Sequence, residues 1–160
     1  MALFTLWLLL SQQQDIPESA SEALDTADSI VLYSLEPQSP PSTPGKRLHH
    51  FIILGQIELN KDQFLKVIST IRAAIPRWRF GIKTSSCFNP RQAIEVTSKG
   101  QKFDFMICYE CHKLAVYKGS DNLAWLEVSG DPSTLNRILA ESGIPLSRTA
   151  PQAVHATSPE

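Results

Sequence analysis

The chain has 160 residues, 42% of them hydrophobic and 19% charged, with a net charge of −1. That length supports one domain with a core of its own. Basic residues form no stripe, which argues against nucleic acid as a partner; the densest basic stretches are "GKRLHH" (45–50) and "PRWRFGIK" (76–83), and the second reads as a solvated turn anchored by Trp78 and Phe80.

The chain opens on "MALFTLWLLLSQQQ". Its apolar run, residues 2–10, is far shorter than the ~20 residues that cross a bilayer as a helix. It fits the apolar core of a signal peptide, although the basic flank and a clean small-x-small cleavage site are missing. The expectation is a weak export or membrane signal, with residues 1–14 set apart from the domain.

Pro17 opens a short helix through "PESASEALDTAD", with Ala20, Leu24 and Ala27 on one face. "SIVLYSL" (29–35) reads as a strand ending before Glu36-Pro37. The stretch 37–47 holds four prolines and nothing apolar, so it reads as a mobile loop. "LHHFIILGQIEL" (48–59) is apolar on both faces, as a central strand would be. The period then lengthens: Phe64, Ile68, Ile71 and Ile75 recur at helical spacing, Asn60 and Gln63 form a capping box, and Pro76 ends the run.

"AIEVTS" (93–98), "KFDFMICY" (102–109), "KLAVYKG" (113–119) and "LAWLEVS" (123–129) read as four strands, joined by turns at Lys99-Gly100 and Ser120–Asn122. A last helix follows, capped by Asp131 with Pro132 at its first position; Leu135, Ile138 and Leu139 face inward and Gly143 ends it. The predicted fold is α+β: a mainly antiparallel sheet, the meander 93–129 plus strands 29–35 and 48–58. Helices at about 61–75 and 132–142 pack on one face. The domain runs over 15–147, and the polar tail 148–160 reads as disordered.

Chemistry concentrates in the cysteines. Register carried outward from the Lys99-Gly100 turn brings Cys87 near Cys111 and His112, with Pro90 breaking the ladder first. Cys108 and Cys111 point to opposite faces of a straight strand, and converge only if the chain turns between them. Four readings stay open. Cys87, Cys108 and Cys111 with His112 (or His49 or His50) form a Cys₃His zinc site. Alternatively, Cys87 pairs with Cys108 or Cys111 in a disulfide, structural or redox-active, with Arg91 the nearest cation in sequence. The string C-x-x-C-H is also where c-type haem attaches, but a β-setting and the lack of a second axial ligand make haem a poor fit. Last, the thiols are buried and uncoordinated.

No phosphate loop, G-x-S-x-G, H-E-x-x-H or convincing carboxylate pair is present. Asp104, opposite in phase to Phe103 and Phe105, reads as a surface residue. The reading leans to a non-enzymatic domain stapled by cysteines; a thiol redox enzyme or sensor using Cys87 with Cys108 and Cys111 is the alternative.

Three stretches, "LYSLEP" (32–37), "CFNPRQAI" (87–94) and "DFMICYEC" (104–111), together resemble a family of small uncharacterised bacterial proteins. Its pattern is Tyr-Ser-Leu-x-Pro, then Cys-Phe-x-Pro-Arg-His, then Asp-x-x-Ile-Cys-Phe-x-Cys. The resemblance spans about 15–147 and implies a bacterial source. It singles out Cys87, Pro90, Arg91, Asp104, Cys108 and Cys111, and implies no activity. This chain departs from the pattern at Gln92, where the family has His, and at His112.

Overall fold

The structure is a computed structural model, and it describes residues 14–77 and 88–148. Lys99 and Gly100 both take positive φ, +51° and +75°, the backbone of a two-residue hairpin turn whose twist matches that of the strands it joins. That turn pairs Ser98 with Gln101 and carries the register to Gln92 opposite Ile107, joining β4 (Gln92–Ser98) to β5 (Gln101–Cys108). The strands β1 (Ser29–Glu36), β2 (Arg47–Leu48), β3 (Phe51–Glu58), β6 (Lys113–Lys118) and β7 (Asp121–Glu127) complete one antiparallel sheet. Its order is β2-β3-β1-β4-β5-β6-β7.

Alternation along β5 decides the faces. Phe103, Phe105 and Ile107 join Ile30, Leu32, Ile94, Val96, Leu114 and Val116 under the helices. There α1 (Glu18–Asp25) contributes Ala20 and Leu24, α2 (Lys61–Ala74) Val67 and Ile71, and α3 (Ser133–Glu141) Leu135, Ile138 and Leu139. Burying each such large side chain contributes about 1.5–3 kcal/mol. The α+β antiparallel architecture therefore follows the predicted pattern, with the three helices among the described residues on one face.

The caps agree with the sequence in part. The Asn60 side chain accepts from Gln63 N–H at 3.0 Å and the Gln63 side chain accepts from Asn60 N–H at 3.1 Å, the reciprocal box that starts α2. At α3 the expected cap moves by one residue: Pro132 is the N-cap, and the Asp131 carboxylate accepts from Ser133 N–H at 2.8 Å. Gly143, at φ +70°, turns the chain out of α3.

The stretch 48–59 is not one central strand. His49 and His50 form a two-residue turn that splits it into β2 and β3, and β2 is the sheet edge. The apolar run misled because the opposite face of the sheet is itself covered. There Tyr33, Leu35, Ala93, Met106 and Ala115 form a second, smaller cluster under Leu48, Phe51, Ile53 and Phe88. The loop leading to β2 is tied down: the Arg47 guanidinium donates to the carbonyls of Pro40, Pro41 and Thr43 at 3.0–3.2 Å. Gln14, set outside the domain in the sequence reading, is buried. Its side-chain amide accepts from Glu127 N–H at 2.8 Å and donates to the carbonyls of Glu127 and Pro76, closing the end of β7.

Candidate functional site

The β5 ladder ends at Cys108 opposite Lys113, and the chain reverses through Tyr109–His112. His112 takes φ +51°, a left-handed conformation, and its N–H donates to the Tyr109 carbonyl at 3.2 Å. The reversal brings the Cα atoms of Cys108 and Cys111 to 5.2 Å, and their sulfurs are joined in a disulfide. Both cysteines are sealed from solvent, at 1% and 2% exposure.

Of the four readings left open by the sequence, a disulfide is the one present, with a different pairing from the Cys87 bridge weighed there. The bridge closes within the C-x-x-C itself and does not involve Cys87, which lies outside the described residues. Register extrapolation linked Cys87 to the turn but could not choose between partners three positions apart. With Cys108 and Cys111 bonded to each other, neither sulfur is a thiolate available to zinc or a thiol open to haem addition. His112 sits with Nδ1 3.3 Å from the Val128 carbonyl. Among the described residues, no three His, Cys, Asp or Glu side chains gather as a metal site.

The motif residues around the bridge meet at this end of the sheet. Pro90 is buried, and β4 begins two residues later. The Arg91 guanidinium donates through Nε to Glu110 at 2.6 Å and through Nη1 to Ser147 Oγ at 2.9 Å. Glu110 is one of the two residues between the cysteines, so Arg91 braces the bridged turn. Gln92 is buried and donates from Nε2 to Asn136 Oδ1 at 2.7 Å, tying β4 to α3. A cavity of about 330 Å³ opens here, bounded by Arg91, Gln92, Cys108, Tyr109, Asn136 and Leu146. The Tyr109 hydroxyl is buried without a hydrogen-bond partner; burial, reinforced by Asp131, pushes its pKa up to about 12.

Asp104 lies four residues before Cys108 on β5, on the sheet face away from the helices, and it is not a surface residue. It is 8% exposed because the β2–β3 turn reaches over it. His49 Nε2 is 2.9 Å from Asp104 Oδ2, and the imidazole lies against the Tyr117 ring with centroids 4.2 Å apart and planes 33° from parallel. Asp104 Oδ1 is buried without a partner. Burial raises the Asp104 pKa, and the His49 hydrogen bond opposes that rise. Tyr33 is held up at about 12 by burial and by the nearby carboxylates of Glu95 and Asp104. The sequence carried one overlooked signal of this arrangement: a two-residue turn made of "HH", with none of the Gly, Asn or Asp that such turns ordinarily use.

Neither cluster shows an activated nucleophile. One offers a sealed disulfide with a polar brace and a cavity; the other offers a buried carboxylate engaged by an imidazole.

No family model matches the chain, and no curated protein matches it. Among solved structures, one titled "Crystal Structure of Putative Lipoprotein from Clostridium perfringens" is similar at 10% identity and a TM-score of 0.47, over 78% of this chain and 89% of that one. Among the described residues, no helix is long and apolar enough to cross a membrane.

Proposed function

We propose that this is a small exported bacterial domain without enzymatic activity, in which the Cys108–Cys111 bridge staples the β5–β6 turn. The observation that carries it is the near-complete burial of both cysteines, at 1% and 2% exposure, inside a turn of the sheet. A redox-active pair needs a sulfur that an incoming thiolate can reach, and both bridged cysteines are almost wholly buried. A bridge closing so short a loop contributes about 2 kcal/mol by the loop-entropy relation. Persistence of such a bridge belongs to an oxidising compartment, in keeping with the apolar residues 2–10. On this reading the chain is a member of the bacterial family its three motifs resemble. Arg91, Cys108 and Cys111, three of the motif residues, belong to one braced turn.

Thiol counting and peptide mapping of the native protein test the proposal. The expected result is a Cys108–Cys111 cross-link that resists reductant until the protein unfolds. The double Cys108→Ala, Cys111→Ala variant should remain folded but be less stable by about 2 kcal/mol. A bridge reduced in the folded protein at the potential of a glutathione buffer would favour the redox enzyme or sensor instead. Three reactive thiols in protein from an oxidising compartment would sink the staple.

A further inference from the structure

We propose that His49 occupies, from within the chain, a binding site on the sheet face away from the helices suited to an organic cation of the ammonium or guanidinium type. The site is written across three strands. Glu95 on β4 is the direct cross-strand partner of Asp104 on β5, and Asp104 is the direct partner of Tyr117 on β6. Two carboxylates and an aromatic ring therefore stand side by side on one face, with Tyr33 of β1 close enough to feel both charges.

A carboxylate beside an aromatic face is the pair of features that recognises an alkylammonium or guanidinium group. Asp104 is more than nine-tenths buried, yet its Oδ1 has no partner. A buried carboxylate oxygen left unpaired is costly, and a lone imidazole engages just the other oxygen. A guanidinium has enough donors to satisfy both. Glu95 is matched by Lys102, whose Nζ lies 2.7 Å away, so Asp104 carries the unmet demand.

His49 fills this position at a cost to its own backbone. It takes φ +50° at the first place of a two-residue turn, where glycine is the ordinary choice. Its contacts with Asp104 and Tyr117 hold it there. Arg47 of the two-residue β2 donates to the His50 carbonyl at 2.7 Å and pins the turn, so a cation enters by the His49 side chain swinging off Asp104. An entering cation replaces the imidazole on Asp104 and Tyr117.

Titration of the full chain with N-methylguanidinium, followed by amide chemical shifts, tests this. His49→Gly removes the ring and suits the left-handed turn; His49→Asn, also tolerant of that backbone, serves if the glycine variant does not fold. Either variant should bind the probe at least tenfold tighter than wild type, with shifts centred on Asp104 and Tyr117. Adding Asp104→Asn should reverse the gain. An arginine-containing peptide that binds tighter than the probe identifies a protein partner's side chain as the occupant, and equal affinity identifies a free cation. Equal affinity of the His49 variant and wild type would overturn the proposal, as would a gain that survives Asp104→Asn.

Discussion

His49 Nε2 meets Asp104 Oδ2 at 2.9 Å across 55 residues of sequence, joining the tip of the β2–β3 hairpin to the middle of the sheet. The contact reverses two local preferences. It keeps a non-glycine residue at φ +50° and draws a carboxylate into a site with 8% exposure. Substitutions at His49 should separate these effects. His49→Ala keeps the backbone strain and leaves the buried carboxylate unpaired, so it should lose about 2–4 kcal/mol. His49→Gly loses the same contact but relieves about 1 kcal/mol of left-handed strain. Urea denaturation should therefore rank wild type above His49→Gly and His49→Ala last.

The Asp104 carboxyl titrates in a defined direction. Its folded pKa is raised, chiefly by burial. A raised value means that Asp104 contributes most to stability below its unfolded pKa, and that this contribution is lost as pH rises through the folded value. Compared with Asp104→Asn, the wild type should gain relative stability on acidification from neutrality through that range. Denaturation of the two proteins at a series of pH values reads the difference; a flat difference would place the Asp104 pKa at its ordinary value.

Arg91 braces the bridged turn in two directions, to Glu110 and to Ser147. A lysine has one terminal nitrogen and cannot reproduce the spread of a guanidinium. Arg91→Lys should cost about 1–2 kcal/mol, seen as a lower thermal midpoint. It should also expose the Cys108–Cys111 bridge to reductant sooner than in wild type.

The Tyr109 hydroxyl is buried with no partner. Removing an orphaned polar group relieves its desolvation cost. Tyr109→Phe should thus be neutral or stabilising by about 1 kcal/mol in chemical denaturation. A substantial loss would show that the hydroxyl is satisfied by an ordered water.

Gly55 sits where β3 passes under the C-terminal segment. A Cβ there would lie 2.7 Å from Ile144 Cγ2. Gly55→Ala should lose about 1–3 kcal/mol through overpacking. Adding Ile144→Ala should recover part of the loss, since the crowded methyl is removed; calorimetry of the single and double variants checks the coupling.

The sequence by itself determined the features that rest on neighbours along the chain. The Asn60–Gln63 box, the Lys99–Gly100 turn and the alternation of Phe103, Phe105 and Ile107 each follow from local backbone chemistry, and each is in the structure. The need for a turn between Cys108 and Cys111 was equally legible, because i and i+3 diverge on a straight strand. Tertiary structure decided the rest. Alternation placed Asp104 on the face away from Phe105, but whether water reaches that face depends on a hairpin far off in sequence. Apolarity on both faces of 48–59 resembled a central strand because the second cluster under Leu48 and Phe51 also excludes water. The partner of Cys108 depended on how tightly the turn closes, a distance of a few ångströms that register arithmetic does not resolve. Local sequence dictates which conformations a segment prefers; burial and side-chain partners belong to whatever the fold brings against it.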